Sequence, residues 1–169
     1  VTDIIEQDLE RKKLSEAIEN FPGGVMFWDE NDKLIVSNKR NQEIMKQAGI
    51  EFILEKGVKY EQMLKKQVNS NLYILPKGIS KSKYIKKRLQ ERAELKSRTR
   101  EINLHNGTII IANETRFQDG SLLSVYTDIT DLKNKEAEYK QLADALDNLP
   151  IPMLFWDKED KLITSNKKS

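Results

Sequence analysis

The strongest constraint on the fold is that the chain repeats part of itself. Residues 14–41 align with residues 142–169 at an offset of 128, and fourteen of the 28 aligned positions are identical. The shared residues include a Phe-Trp-Asp tripeptide, at Phe27–Asp29 and again at Phe155–Asp157. A period this long is that of a whole domain, because solenoid repeats recur at roughly 20–50 residues. The sequence therefore predicts one complete domain followed by the first part of a second copy.

The predicted boundaries divide the chain into four segments. They are a linker helix over 1–20, a domain over 21–130, a second linker helix over 131–149, and a truncated second domain over 150–169. The first segment is interpreted as the tail of a preceding domain, because Thr2-Asp3-Ile4 resembles Thr127-Asp128-Ile129.

Composition narrows the class of protein. The chain has 169 residues, of which 33% are charged and 38% hydrophobic, which is typical of a globular protein. It has no cysteine, which excludes disulfides, thiolate metal sites and a cysteine nucleophile within this sequence. No apolar run reaches the roughly 20 residues needed to span a bilayer, and no signal peptide is visible. We therefore expect a cytoplasmic location.

Periodicity and turn residues predict the order of the elements. Helices are predicted over 3–20, 38–47, 60–68, 81–95 and 131–148, with Asn38 as the cap of the second. Strands are predicted over 25–28, 33–37, 99–105, 108–117 and 121–130. Asn106-Gly107 and Asp119-Gly120 predict type I′ turns between the last three strands. Strands and helices that are segregated along the chain favour an α+β fold with an antiparallel sheet.

Several of these residues together resemble a known family. Asn20 to Val25, Trp28-Asp29 and Leu34-Ile35 occur early, and Asp128-Ile129-Thr130 ends the last strand before a charged helix. This pattern resembles the PAS domain, a small sensory module of bacterial signalling proteins, over Leu14 to Lys133 and again from Leu142. The resemblance implies a five-stranded antiparallel sheet in the order 2-1-5-4-3, with flanking short helices. It also implies tandem copies ahead of a histidine kinase or nucleotide cyclase domain.

The resemblance implies a function and a set of site residues. We expect a sensory and dimerisation module that relays the state of a ligand or partner through its C-terminal helix to a downstream effector domain in the same chain. Asp128, Ile129 and Thr130 are the expected coupling residues. The candidates for a ligand pocket are apolar side chains of the predicted sheet and helices: Phe27, Ile44, Met45, Leu64, Ile85, Ile102 and Ile111.

A seam on the last predicted helix favours a homodimer. Leu132, Tyr139, Leu142, Leu146 and Leu149 occupy a and d positions of a heptad, which favours a parallel two-stranded contact. The alternative interpretation is that these side chains only cover the sheet of their own domain.

Residues that carry chemistry are scarce. The single histidine, His105, adjoins the Asn106-Gly107 turn, whereas a haem ligand is expected on a helix facing a cavity. No phosphate-binding glycine-rich loop and no catalytic constellation are present. We therefore predict no enzymatic activity in this segment, no metal, no haem and no covalent flavin. An unidentified small-molecule ligand stays possible.

A basic segment offers an alternative function. Residues 77–100 contain ten Lys or Arg against two Glu, so this segment could bind an anionic ligand, nucleic acid or a membrane surface. Tyr84 is its only aromatic residue, which argues against base stacking. The favoured interpretation is a solvated helix face, and no nucleic-acid partner is expected.

Overall fold

The computed structural model describes residues 1–168, and these form five helices and seven strands. The helices are Thr2–Glu19 (α1), Lys39–Gln47 (α2), Tyr60–Asn69 (α3), Lys81–Glu94 (α4) and Thr130–Asp147 (α5). The strands are Gly24–Trp28 (β1), Leu34–Ser37 (β2), Ser97–Asn103 (β3), Ile109–Arg116 (β4), Leu122–Asp128 (β5), Leu154–Trp156 (β6) and Leu162–Ser165 (β7). The chain divides into two compact units, the first ending at Ile129 and the second beginning at Thr130.

The first unit contains a five-stranded antiparallel sheet in the order β2-β1-β5-β4-β3. The predicted fold class and strand order are confirmed. Strand β1 lies in the interior of the sheet, which agrees with the apolar composition of Val25–Trp28. Because alternate side chains of a strand point to opposite faces, one face of this sheet meets helices α2, α3 and α4 and holds the core.

The inward-facing residues of the last three strands form cross-strand rows. Ile102 pairs with Ile110, Arg100 with Ala112 and then Tyr126, and Arg98 with Glu114 and then Ser124. The core beside these rows has two parts, one around Trp28 and Leu122 and one around Ile102 and Ile110. The sheet therefore presents an apolar row at one end and charged rows beside it.

The two hairpin turns differ from the predicted type I′ geometry. A type I′ turn needs positive φ at both central residues, but only the glycines, Gly107 and Gly120, have it; neither Asn106 nor Asp119 does. The Gly107 N–H donates to Leu104 O and closes a turn that ends at the glycine. The connections are therefore longer than two residues, and the pairing that they produce is the one expected.

Asn38 has a different role from the predicted helix cap. It precedes α2, but its side chain makes no capping hydrogen bond to that helix. Its Oδ1 accepts from Val25 N at 3.0 Å, and its Nδ2 donates to Ile18 O and Gly23 O at 2.9 Å each. The side chain is buried, and it joins the end of α1 to the start of β1. We call this arrangement the asparagine latch.

The pair Gly23-Gly24 is required by close packing. A Cβ on Gly24 would overlap Asn41 Oδ1, and a Cβ on Gly23 would lie 2.5 Å from Tyr126 O. Neither glycine has a positive φ, so the lack of space, and not a left-handed backbone, excludes a larger residue here.

The second unit repeats the local geometry of residues 18–38. Asn166 Oδ1 accepts from Met153 N at 3.0 Å, and its Nδ2 donates to Leu146 O at 3.0 Å and Ile151 O at 2.9 Å. Each partner lies 128 positions after its counterpart in the first latch, so the latch joins the end of α5 to the strand that follows. The hairpin β6–β7 also has the register shift of β1–β2.

Candidate functional site

The candidate site is a cavity of about 50 Å³ between the inner face of the sheet and helices α2 and α3. It lies where the two parts of the core meet. Its apolar lining consists of Met26, Ile44, Met45, Met63, Leu72, Ile102, Leu104 and Ile110. Its polar and aromatic lining consists of Asn41, Tyr60, Gln67, Tyr73, Arg100 and Tyr126. Few polar groups in a mostly apolar concave wall are typical of a small-ligand site.

Three of the predicted pocket residues line this cavity: Ile44, Met45 and Ile102. Two others, Leu64 and Ile85, are buried nearby in the part of the core around Trp28 and do not line it. Leu64 follows Met63 on α3, and one residue along a helix turns a side chain by about 100° away from the cavity.

The remaining two predicted pocket residues, Phe27 and Ile111, lie on the opposite face of the sheet. Phe27 contacts Phe117 with ring centroids 6.0 Å apart, whereas its neighbour Met26 lines the cavity. Likewise Ile110 faces the cavity and Ile111 does not. This placement corrects the prediction, and the cause is strand alternation, which a fully apolar strand does not reveal in its sequence.

Two half-buried tyrosines give the cavity hydrogen-bonding groups. Tyr73 donates from its hydroxyl to Gln67 Oε1 at 2.7 Å. Burial raises the pKa of Tyr73 and of Tyr126 above the ordinary value, so both hydroxyls stay neutral at physiological pH.

A cluster of buried charges adjoins the cavity, with Glu114 at its centre. The side chain of Glu114 is 1% exposed, and its Oε2 accepts from Arg98 Nε at 3.0 Å and Nη2 at 2.7 Å. Arg100 Nε lies 3.5 Å from the same oxygen, and Arg92 Nη1 lies 4.0 Å from Oε1. Burial alone would raise the pKa of Glu114, but Arg100, Arg98 and Arg92 together lower it below the ordinary value.

Arg92 links this cluster to the aromatic core. Its Nε donates to Asp32 Oδ1 at 3.0 Å, and its guanidinium carbon lies 3.6 Å from the ring centroid of Tyr60 and 5.0 Å from that of Trp28. A guanidinium over aromatic rings is stabilised by the negative charge density of their faces.

The charge cluster contains more donors than acceptors. Several of its buried atoms have no hydrogen-bond partner among residues 1–168: Trp28 Nε1, Arg88 Nη2, Arg92 Nη1 and Nη2, Arg100 Nε, Glu114 Oε1 and Ser124 Oγ. Five of these seven atoms are N–H donors. A group that completes the hydrogen bonds of this cluster would therefore have to be mainly a hydrogen-bond acceptor.

The predicted coupling residues connect the sheet to α5. Asp128 is the last residue of β5, and its Oδ2 lies 3.5 Å from Arg40 Nη2 on α2. The Ile129 N–H donates to Ile109 O at 2.9 Å, and the helix begins at Thr130. Thr130 is thus itself the first helical residue, directly after the sheet.

The predicted seam lies on a helix with little burial. No residue of α5 is buried, and Leu132, Leu142 and Tyr139 are exposed in the single chain, Tyr139 to 72%. Leu146 and Leu149 are half-buried.

The structure divides the basic segment 77–100 into two sets. Its four arginines, Arg88, Arg92, Arg98 and Arg100, all lie within the buried or half-buried cluster described above. Its six lysines are exposed. The surface available to an anionic polymer is therefore smaller than the sequence suggests.

Sequence reasoning missed the polar half of the site. Arg98 and Arg100 alternate with Ile102, a period of two that places all three on one face, and this signal could have assigned them inward. Tyr60 and Tyr126 carry no such signal, because an aromatic residue suits either face of a sheet or helix. Among residues 1–168, no cluster of three or more His, Cys, Asp or Glu could hold a metal ion, and His105 is exposed in its turn.

The fold and the cavity define a class, a small α+β domain in which a five-stranded antiparallel sheet covers a cavity against short helices. The sequence profile of the PAS fold matches residues 18–137, more than two thirds of the chain. The chain belongs to the PAS family, which confirms the resemblance. No curated protein matches the chain.

Several solved structures are similar to part of this chain. The PAS domain of an HTR-like protein from Haloarcula marismortui is 16% identical with a TM-score of 0.45, over 75% of this chain and 99% of that one. The sensor region of a sensor histidine kinase is 12% identical with a TM-score of 0.49, over 65% and 40%. A domain of a sensory box sensor histidine kinase/response regulator from Geobacter sulfurreducens is 14% identical with a TM-score of 0.41, over 70% and 94%.

Over residues 1–168, none of the helices has the length and apolar character needed to cross a bilayer.

Proposed function

We propose that this chain is a non-catalytic sensory module of a bacterial signal-transduction protein. The state of a ligand or partner at the first unit is relayed through α5 to a downstream output domain, of the histidine kinase or cyclase type. The module works in the cytoplasm without haem, covalent flavin or metal. A ligand drives such a relay only if it binds two conformations of the domain with different affinities.

The observation that carries this proposal is the path from the cavity to α5. Tyr126 lines the cavity and lies on β5, and α5 begins only four residues later, at Thr130. A displacement of β5 is therefore transmitted to the first turn of the helix without an intervening flexible loop. The pair formed by Arg40 and Asp128 adds a second input, because Arg40 lies on α2, one turn from Ile44 in the cavity wall.

The asparagine latch supports the role of the long helices as connectors. Asn38 holds the last turn of α1, and Asn166 holds the last turn of α5. We propose that the second unit is the start of a second PAS domain, so that α5 runs from the end of one sheet to a latch in the next. A movement of α5 would then reach the first strand of the second domain.

We further propose that the active form is a homodimer. Neither α1 nor α5 has a buried residue in the single chain. A parallel contact along Leu132, Tyr139 and Leu142 would bury the exposed apolar side chains of α5.

The relay is tested by Asp128→Ala in the full-length protein. The salt bridge to Arg40 is partly exposed, so its loss costs about 1 kcal/mol or less and the domain stays folded. We expect a reduced output response to stimulus, with a melting temperature lowered by a few degrees at most. Asp144→Ala, on the exposed surface of α5, is the matched control and should respond like the wild type. A normal response of Asp128→Ala would refute the relay through this junction.

A further inference from the structure

We infer that the cavity of the first unit binds a small organic carboxylate, with Arg100 as the residue that receives the anionic group. This inference deepens the proposed function, because it names the chemical class of the ligand that the sensory module would take.

Arg100 is the charged residue of the cavity wall. Its side chain is 19% exposed, its Nε is buried, and that Nε has no hydrogen-bond acceptor in the described part of the chain. The nearest carboxylate oxygen, Glu114 Oε2, lies 3.5 Å away and already accepts two hydrogen bonds from Arg98. Glu114 therefore satisfies Arg98 first, and Arg100 Nε has an ion-pair contact with it but no hydrogen bond.

The excess of positive charge in the cluster around Arg100 also favours an anionic ligand. Four arginines, 88, 92, 98 and 100, share three carboxylates, those of Asp32, Glu91 and Glu114. Buried donors without acceptors are costly, and about nine in ten such groups in folded proteins are satisfied. A carboxylate supplies acceptors and a negative charge together, whereas a neutral ligand supplies only acceptors.

The size and the walls of the cavity limit the rest of the ligand. A volume of about 50 Å³ is roughly that of four ordered waters, at about 10–15 Å³ each, which corresponds to a molecule of about five non-hydrogen atoms. Much of the remaining wall is apolar and includes Met26, Met45, Ile102 and Ile110. A short aliphatic chain on the carboxylate fits this wall, whereas an inorganic anion leaves it without a partner.

The test uses propionate as the probe, on the 169-residue chain. Propionate at 10 mM should raise the melting temperature by several degrees if its Kd is below about 1 mM, since a ligand stabilises the state that it binds. Propionamide, propylammonium and inorganic phosphate at matched ionic strength should give no comparable shift.

Arg100→Gln should weaken propionate binding at least about tenfold, because the variant loses a charge-assisted hydrogen bond. Lys86→Gln, on the exposed face of α4, is the control for charge and should bind like the wild type.

A second measurement does not depend on the variant folding. The ¹H–¹⁵N resonance of Arg100 Nε in the wild-type protein should shift on titration with propionate. No melting shift with propionate, equal shifts with phosphate or propionamide, or a static Arg100 Nε resonance would each overturn the inference. If propionate fails while Asp128→Ala still lowers the output response, the ligand class is wrong and the relay stands. If propionate binds and Asp128→Ala responds normally, the relay is wrong and the ligand class stands.

Discussion

Glu114 pairs with three of the four arginines in the buried charge cluster, Arg92, Arg98 and Arg100. It is one of the three carboxylates in a buried cluster that holds four arginines, and its side chain is 1% exposed. Such a cluster gains little over an apolar core, but removing one partner leaves the others buried and unpaired. The stability of the charge cluster therefore depends on the negative charge of Glu114.

Glu114→Gln should lower the free energy of unfolding by about 3 kcal/mol. Gln keeps the shape of Glu but loses the charge that pairs with Arg98 and Arg100. The estimate is at the low end of the usual range because both arginines are partly reached by solvent. Urea unfolding at pH 7 measures the difference, with Glu94→Gln on the exposed surface of α4 as the control. Equal stability of the two variants would contradict this assignment.

The same carboxylate should make stability depend on acid pH. The pKa of Glu114 is lowered in the folded protein, so the unfolded chain binds the proton first, near the unperturbed value of about 4.3. Its contribution is complete above about pH 5 and is lost as the pH falls through the folded pKa. The difference in stability between wild type and Glu114→Gln should therefore shrink steadily below pH 5. A difference that stays constant from pH 7 to pH 3 would show that the charge of Glu114 is not the cause.

Individual inward and outward assignments were the part that the sequence predicted least well. Met45 and Ile102 line the cavity as predicted. Phe27 and Ile111 were misplaced because each is one member of a run that is apolar on both faces. In such a run the hydrophobic pattern does not distinguish the two faces, and only pairing with neighbouring strands fixes the register.

At the scale of elements, the asparagine latch of Asn38 attaches the linker helix α1 to strand β1 of the sheet. Asn38→Ala removes four hydrogen bonds at a buried position. Val25 N–H, the side-chain amide of Asn41, Ile18 O and Gly23 O each lose one partner. We expect a loss of about 1–3 kcal/mol of stability. Hydrogen exchange should also become faster in the last turn of α1, because that turn loses its contact with Asn38.

The control for the latch is Asn31→Ala, an exposed asparagine in the turn between β1 and β2. Its stability and exchange rates should match those of the wild type. Unchanged exchange in α1 of Asn38→Ala would mean that the latch does not hold the helix.

The elements themselves were predictable because their signals are local. The two Asx-Gly pairs predicted the hairpin pairing of the last three strands, whereas the pairing of β1 with β5 was implied only by the family resemblance. The role of Asn38 was not predictable, since an asparagine before a helix is typical of a cap. The competing partners, Ile18 and Gly23, lie up to twenty residues away in sequence and come close only in the folded unit.

At the scale of the whole molecule, equivalent residues of the two copies of the repeat differ in solvent exposure. Trp28 is fully buried in the first unit, whereas Trp156, 128 positions later, is 55% exposed in the single chain. Its neighbours Leu154, Leu162 and Ile163 are exposed as well. Neighbouring exposed apolar side chains of this kind mark an association surface. The repeat predicted this truncated second copy, and the association of the 169-residue chain through these side chains stays a prediction.

The 169-residue chain should therefore self-associate through the hairpin β6–β7. Burying one large apolar side chain stabilises a contact by roughly 1.5–3 kcal/mol, so Trp156→Glu should raise the dissociation constant at least about tenfold. Sedimentation equilibrium measures the constant. Tryptophan emission gives a second measurement, because Trp28 is already buried and any concentration-dependent blue shift comes from Trp156. Lys158→Glu, exposed in the turn of the same hairpin, should associate like the wild type.

A wild-type chain that stays monomeric at 0.1 mM would contradict the prediction of self-association through the hairpin. So would association that Leu142→Glu abolishes and Trp156→Glu leaves intact, because the contact would then lie along α5 and not on the hairpin.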